Sequence, residues 1–299
     1  MVWTALRPKE IQCRLALKGF AVSLYIAMQL LRTSGLRRRS YLKSATMGPS
    51  HPDRNAQFEK VADLKDEFLH QGFPVLSIDK KKKALLGNFH REGHYYDTSA
   101  RKVNDHDFES FAEGKLVPHG IYDLSKNKGY ITLGTSKDTS AFVCDNIATI
   151  WEQEMCRQYP GEDWLLLLCD GGGSNNARHY IVKQDLYLLA KRIQMNILVA
   201  HYPPYCSKYN PIEHRLFAHL HHAWSGTVLP DIQTAKELAE KTATKTGLSV
   251  SVYINRNTYE TNRTVDDVFK SNIFQFIDFD EKFPQWNYSI KHSNAGFIF

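Results

Sequence analysis

The stretch Trp164-Leu165-Leu166-Leu167-Leu168-Cys169-Asp170-Gly171-Gly172-Gly173-Ser174-Asn175 decides the fold. Four consecutive leucines predict a strand that is buried on both faces, as in a sheet covered by helices. Asp170 ends that strand, the glycines allow a sharp turn, and Ser174 or Asn175 can cap the next helix. Open α/β sheets bind ligands at the carboxyl ends of their strands. Asp170 is therefore a candidate site residue, and a capping Asp in a tight turn is the alternative.

Outward from this strand, apolar strand-like runs alternate with amphipathic helical patterns, which indicates an α/β protein. The predicted strands cover residues 74–79, 84–89, 130–134, 164–169, 196–201 and 250–254. The predicted helices cover residues 53–70, 138–151, 175–194 and 232–246, together with a helix that starts at Asn210 and Pro211. The first two strands form a predicted hairpin with Lys80–Lys83 at its corner, and residues 90–129 a predicted excursion from the sheet.

The first 50 residues carry nine basic side chains and one acidic side chain. Two short helices are predicted within residues 8–33, with Gly19 between them, and Leu36-Arg37-Arg38-Arg39 follows. This layout is typical of a helix-turn-helix DNA-binding region, which would be truncated because the segment is short. A simple pair of packed helices and an Arg-rich transit peptide are the alternatives. We assign residues 1–50 to this region, residues 45–52 to a linker, and residues 51–299 to a catalytic domain with a C-terminal extension.

Composition narrows the class of protein. The chain has 299 residues, of which 42% are hydrophobic and 23% charged, as in an ordinary globular protein. Its net charge of +6 and its pI of about 8.9 favour a polyanionic partner. The five cysteines lack CxxC spacing, so we expect no disulfide framework or structural zinc, and the apolar run 20–31 is too short and too polar to cross a membrane. These features favour a cytoplasmic protein that binds nucleic acid.

Three carboxylates are predicted to come together. If three antiparallel strands come first and a right-handed crossover returns the fourth beside the first, Asp79 and Asp170 lie on neighbouring strands. Glu213, in the first turn of a later helix, can then face them, although an acidic residue there also simply complements the helix dipole. Carboxylates in an open arrangement hold Mg²⁺ or Mn²⁺, and two such ions can drive phosphodiester displacement without a protein nucleophile.

Several segments resemble those of DDE transposases of the ISAzo type, which are encoded by bacterial insertion sequences. The resemblance runs from about residue 50 to the C-terminus. Its segments are Ser77–Lys83, Gly120–Asp123, Gly134–Thr139, Cys169–Asn175, His201–Pro204, Ser207–Asn210, Ile212–Phe217 and Trp286–Tyr288. The resemblance implies a ribonuclease H-like catalytic domain, with a mixed five-stranded sheet flanked by helices. It also implies that Asp79, Asp170 and Glu213 are the D, D and E, with Glu213 43 residues after Asp170.

The resemblance further implies a two-step reaction that uses two Mg²⁺ or Mn²⁺ ions. Cleavage at an insertion-sequence end frees a 3′-hydroxyl group, which then attacks target DNA. The expected partners are terminal inverted repeats, target DNA and a second copy of the chain on DNA, and the expected location is the bacterial nucleoid. Asn175 and His201 are expected to support the metal ligands. The expected DNA-contacting residues are Lys80, Lys81, Lys82, Lys83, Lys208, Arg37, Arg38, Arg39 and the helix around Leu24–Arg32.

The sequence departs from the family pattern at a few positions. Tyr205 and Cys206 stand where the family usually has Gly-Thr, and Val182 replaces an aromatic residue before Lys183. Two other functions fit the same sequence: a metal-dependent nuclease that cuts without joining, and a catalytically idle repressor derived from a transposase. An aspartyl-phosphate phosphatase would need a second Asp two residues after Asp170, where Gly172 stands.

Overall fold

The computed structural model describes residues 4–39, 51–172 and 175–293. The chain divides into two units, Met1–Pro49 and Ser50–Phe299. In the first unit, helix α1 spans Pro8–Leu17 and helix α2 spans Leu24–Thr33. The Ser23 hydroxyl accepts a hydrogen bond from the Ile26 amide at 3.3 Å and caps α2, as the sequence predicts. Most of the predicted linker, residues 45–50, lies outside the described residues.

The second unit is built on a nine-stranded mixed sheet. The strands are β1 (Val75–Lys80), β2 (Ala84–Leu86), β3 (Gly114–Asp123), β4 (Lys128–Gly134), β5 (Trp164–Cys169), β6 (Asn196–His201), β7 (Ser249–Asn255), β8 (Ile277–Phe279) and β9 (Asn287–Ile290). The helices are α3 (Arg54–Gln71), α4 (Ser140–Gln153), α5 (Tyr180–Ile193), α6 (Ala218–Trp224), α7 (Ile232–Glu240) and α8 (Asp267–Ser271). The strand order is β7-β4-β3-β1-β5-β6-β9-β8, and β2 pairs with β3.

The predicted ribonuclease H-like arrangement is confirmed at the centre of this sheet. β1, β3 and β4 are antiparallel neighbours, and β5 and β6 continue the sheet parallel to β1. Five strands therefore form the expected core. The sheet is wider than predicted because β7 pairs with β4, β9 with β6, β8 with β9, and β2 with β3.

The predicted hairpin at Lys80–Lys83 is wrong. β1 and β2 do not pair with each other, and both pair with β3. β3 lies within the segment predicted as an excursion. Its sequence hides the strand, because Pro118, His119 and Gly120 interrupt the apolar run, although all three are buried in the sheet.

The leucine run has the burial predicted for it, with both faces covered. Leu165 and Leu167 pack into a core with α4 and α5, while Leu166 and Leu168 face α3. All four side chains are at most 1% exposed. Because side chains alternate along a strand, the residue after Cys169 faces the same side as Leu166 and Leu168. This alternation places the Asp170 side chain on the α3 face of the sheet.

Gly120 marks a close approach between β3 and the helical segment that starts at Glu213. A Cβ atom at this position would lie 2.5 Å from Phe217 Cε1 and 2.9 Å from Ile212 Cδ1, and both side chains are buried. We therefore expect Gly120→Ala to lower the free energy of unfolding by about 1–3 kcal/mol through overpacking. Urea denaturation measures this. The control is Gly171→Ala, whose Cβ atom would meet no atom of the described residues within 4 Å. Equal losses for both variants would contradict the prediction.

Candidate active site

Asp79 and Asp170 lie side by side at the carboxyl ends of two central strands. In the parallel ladder of β1 and β5, Val75 pairs with Leu166 and Ser77 with Leu168. Continuing this register places Asp79 opposite Asp170, with both side chains on the α3 face of the sheet. Asp79 is 5% exposed, and Asp170 is half-buried. The strand pairing therefore brings together two of the three predicted carboxylates.

Glu213 begins a helical segment that crosses the same face. Residues Glu213–Phe217 form a π-helical turn that continues directly into α6. Leu216 and Phe217 in this turn are buried against the sheet, whereas Glu213 remains half-buried. π-Helical turns inside helices occur frequently at functional sites. The packing of this turn against the sheet fixes the position of Glu213 relative to β1.

Asn210 ties the start of this segment to β1. Its side-chain amide donates a hydrogen bond to the Ile78 carbonyl oxygen at 3.1 Å, and its side-chain oxygen accepts one from the Ser77 hydroxyl. The Ser77 hydroxyl also accepts a hydrogen bond from the Ile212 amide at 3.0 Å. Ser77 and Asn210 are fully buried. These bonds connect β1, which carries Asp79, to the start of the helical segment, which carries Glu213.

The three carboxylates repel one another. Burial, followed by the negative charge of Asp170 and a smaller effect of Glu213, raises the pKa of Asp79 to about 7. The Lys80 amide, which donates a hydrogen bond to Asp79 Oδ1 at 2.7 Å, offsets only part of this. Burial also raises the pKa of Asp170, while the Gly172 amide at 3.3 Å lowers it. The charged form of each aspartate is therefore disfavoured at the carboxyl ends of β1 and β5.

His201 and Asn175 lie behind Asp170, where the sequence analysis expected supporting residues. His201 Nε2 lies 2.9 Å from the Asn175 carbonyl oxygen, and Nδ1 lies 2.8 Å from the Trp286 carbonyl oxygen. Burial lowers the pKa of His201. The imidazole thus holds the loop that follows Asp170, and its nearness lowers the pKa of Asp170 slightly.

The predicted capping role of Asn175 is wrong. α5 starts at Tyr180, and its N-cap is His179. Before the helix the chain makes turns instead, in which the Asn175 amide donates to the Gly172 carbonyl oxygen and the His179 amide to the Asn176 carbonyl oxygen. Ser174 lies outside the described residues. The loop is also held from α5, because the Lys183 amine donates a hydrogen bond to the Ala177 carbonyl oxygen.

The predicted DNA-binding lysines fall into two groups. Lys80 forms an ion pair with Asp138 at 2.5 Å, and Lys81 donates a hydrogen bond to the Phe217 carbonyl oxygen at 3.3 Å. Burial lowers the pKa of Lys81, and Glu213 partly offsets this. Lys82, Lys83 and Lys208 are exposed, as are Arg37, Arg38 and Arg39 in the first unit.

Lys81, Lys82 and Lys83 also line a cleft of about 770 Å³. Arg91, Lys115 and His221 add further positive or titratable groups to its wall, alongside Glu92, Asp107 and Glu109. The cleft adjoins the helical segment that carries Glu213, because Lys81 contacts Phe217. Sequence reasoning missed this surface, since its residues come from four separate stretches of the chain.

The donor set at the three carboxylates suits a hard divalent cation. Within residues 4–39, 51–172 and 175–293, no group of three or more His, Cys, Asp or Glu side chains is arranged so that it could hold a metal ion as it stands. The chemistry nevertheless fits, because all three groups offer carboxylate oxygens, and burial together with the charges of Asp170 and Glu213 raises the pKa of Asp79, an effect that a bound cation would oppose. Asp79, Asp170 and Glu213 are the residues that would hold Mg²⁺ or Mn²⁺.

Helices in the described ranges all fall short of the length and apolarity needed to cross a bilayer.

A family model described as "Rhodopirellula transposase DDE domain" matches residues 1–292. This match confirms the resemblance and extends it to the N-terminal helices, before the expected start near residue 50. A comparison with curated proteins found no match.

Solved structures with a similar fold include complexes of the Mos1 transposase. The structure described as "Mos1 transposase paired-end complex with left transposon end" is 17% identical, with a TM-score of 0.50, over 82% of this chain and 73% of that chain. Another, "Crystal structure of the Mos1 mariner paired end complex with Mn", is 16% identical, with a TM-score of 0.48, over 81% and 68% of the two chains. At these identities the first similarity supports the fold alone.

Proposed function

The chain belongs to the family of transposase DDE domains, and from this premise we propose that it cleaves DNA at the ends of an insertion sequence and joins the freed 3′-hydroxyl group to target DNA. The observation that supports this most is the register of β1 and β5, which, when continued, places Asp79 opposite Asp170, with Glu213 near enough to raise the pKa of Asp79. We further propose that it works as a dimer or higher oligomer on DNA, at the bacterial nucleoid.

Each acidic residue has a defined task in this proposal. Asp79 and Asp170 hold divalent cations from the sheet, and Glu213 completes the set from the helical segment. A bound pair of divalent ions supplies Lewis-acid chemistry to both the attacking and the leaving oxygen of a phosphodiester. Asn210 and Ser77 keep the helical segment at a fixed distance from β1, and His201 fixes the loop after Asp170.

DNA reaches the site, in this proposal, along the lysine-lined cleft. Lys82 and Lys83 are exposed at the end of the turn that follows Asp79, and Lys208 is exposed three residues before Pro211. These side chains contact phosphates and contribute affinity rather than sequence specificity. Arg37, Arg38 and Arg39, with α2, are proposed to contact the terminal inverted repeat. The ion pair of Lys80 with Asp138 and the bond from Lys81 to Phe217 indicate that these two lysines mainly position the site.

One assay separates this proposal from its alternatives. The purified chain is incubated with Mg²⁺ and a plasmid that carries its gene with the flanking DNA, together with a second, labelled target plasmid. Excision products joined to the target indicate a transposase. Cleavage without joined product would instead indicate a nuclease, and binding without cleavage would indicate an idle repressor.

The metal requirement predicts a pH-dependent stability. Without metal, folded Asp79 keeps its proton up to about pH 7, whereas the unfolded chain loses it near 3.8, so stability falls as the pH rises between these values. At about 1.36 kcal/mol per pKa unit, the loss is at most about 4 kcal/mol. Mg²⁺ should therefore raise the melting temperature by several degrees at pH 8 and by little at pH 5. Thermal melts at both values measure this, and equal shifts would contradict it.

A further inference from the structure

Tyr205 has an unusual backbone for its residue type. Its φ angle is +61°, in the left-handed region that glycine and asparagine occupy readily and that bulky side chains rarely adopt. Its side chain is 77% exposed. Within the described residues, no hydrogen bond, ion pair or ring contact is formed by this side chain. A glycine would adopt this conformation without strain, whereas a tyrosine does not.

The surrounding loop is fixed on both sides of Tyr205. We call residues 202–210, between β6 and the helical segment, the Tyr205 loop. The Tyr202 amide donates a hydrogen bond to the Cys169 carbonyl oxygen at 2.9 Å, and Asn210 donates to the Ile78 carbonyl oxygen at 3.1 Å. Cys206, directly after Tyr205, is 3% exposed. The loop is therefore attached next to Asp170 at one end and next to Asp79 at the other.

The loop's other exposed tyrosine is already engaged. The Tyr209 ring packs edge-on against Phe58 of α3, with centroids 5.0 Å apart, and the Lys208 amine lies 5.1 Å from the Tyr209 ring. Tyr205 differs because it strains the backbone and forms no hydrogen bond, ion pair or ring contact within the described structure. Strained residues persist where the surrounding structure fixes them and cluster at ligand sites. An exposed ring on a strained residue is therefore a candidate contact for a bound ligand.

We propose that Tyr205 stacks on an unpaired DNA base beside the phosphodiester bond that is cleaved, a role that rests on the proposed function. The loop attachments place residues 202–210 at the edge of the sheet where Asp79 and Asp170 lie, and Lys208, an exposed residue of the same loop, offers a cation for the neighbouring phosphate. An exposed aromatic ring beside a basic residue is the combination that binds single-stranded nucleic acid without reading its sequence. A phenol ring on a fixed loop also loses little freedom when a base stacks on it.

Variants of Tyr205 test this in the full chain. The probes are a 20-base-pair duplex with a three-nucleotide overhang that contains 2-aminopurine, and the same duplex with blunt ends, both with Ca²⁺ to prevent cleavage. Tyr205→Asn keeps a residue that tolerates the left-handed conformation but removes the ring, Tyr205→Gly removes both ring and strain, and Tyr205→Phe keeps the ring. Phe274→Ala, which removes an aromatic side chain that is 76% exposed in the C-terminal part of the chain, is the matched control.

We expect the Asn and Gly variants to bind the overhang probe about tenfold more weakly, since stacking on one base contributes about 1–3 kcal/mol. Binding to the blunt duplex should change less than about twofold, and 2-aminopurine should be quenched by the wild type and by Tyr205→Phe only. The melting temperatures of Tyr205→Asn and Tyr205→Gly should not fall, because the strain is relieved.

Two results would overturn the inference while leaving the proposed function intact. The first is equal binding of the overhang probe by all variants, which would make Tyr205 a tolerated surface residue. The second is an equal loss for both probes together with a lower melting temperature, which would make Tyr205 a structural residue. If the wild type binds neither probe, the proposed function itself fails, and the inference fails with it.

Discussion

Asp79→Asn is expected to abolish DNA cleavage while making the metal-free chain more stable. Loss of a metal-holding carboxylate should slow cleavage at least about 10³-fold, which corresponds to about 4 kcal/mol. The same change removes a buried negative charge that Asp170 and Glu213 repel, so the melting temperature at pH 8 should rise. Cleavage of the plasmid substrate and thermal melts measure the two effects. A loss of activity together with a gain in stability is expected when a residue's charge serves catalysis and not folding.

Asp123→Asn is the matched control for this prediction. Asp123 is also a fully buried carboxylate in the sheet, on β3, and its oxygens accept hydrogen bonds from the Tyr159 hydroxyl at 2.7 Å and the Ser125 amide at 2.9 Å. Its replacement should lower stability and leave the cleavage rate of the folded protein unchanged. If Asp79→Asn also left cleavage unchanged, Asp79 would not be part of the active site.

Asn210→Ala is expected to cost both stability and activity. The change leaves the Ser77 hydroxyl and the Ile78 carbonyl oxygen buried without the partners that Asn210 provides, which should lower the free energy of unfolding by about 2–4 kcal/mol. Glu213, three residues further on, would lose its fixed distance from β1. A displacement of about 1 Å can slow a reaction about 100-fold. We therefore expect cleavage to fall about 10- to 100-fold under conditions where the variant is folded.

Asn287→Ala separates the positioning effect from a general loss of stability. Asn287 is also buried, and it exchanges two hydrogen bonds of 2.8 Å with Gln57. It should destabilise the chain by a similar amount without slowing cleavage. A double-mutant cycle with Ser77→Ala would report the coupling between Ser77 and Asn210 directly. If Asn287→Ala and Asn210→Ala slowed cleavage equally, Asn210 would have no specific role in placing Glu213.

The sequence was most informative where burial dictates the residue type. β5 and β6 are nearly continuous apolar runs because helices cover both faces of the sheet, and their bounds match the prediction. β3 was missed because Pro118 and Gly120 are tolerated for tertiary reasons, above all the approach of Phe217 to Gly120. A single sequence cannot show which helix will lie over a strand.

The closeness of Asp79 and Asp170 could be predicted from the sequence, but the groups that position them could not. Each aspartate ends an apolar strand-like run, which is a local signal, and the right-handed crossover rule then places the two strands side by side. The contact of Ser77 with Asn210 joins residues 133 positions apart, and Asn210 by itself predicts only a helix start. The ion pair of Lys80 with Asp138 also joins residues that are distant in the sequence. A run of four lysines by itself indicates only a solvated turn.

The most direct test of the central claim is an anomalous diffraction map from crystals of the chain soaked in Mn²⁺ at pH 8. The account predicts anomalous density about 2.1 Å from carboxylate oxygens of Asp79 and Asp170, with Glu213 as a further ligand of the same site. Ordered carboxylates with no anomalous density among them, or Mn²⁺ bound only elsewhere, would contradict the claim that these three residues hold the metal.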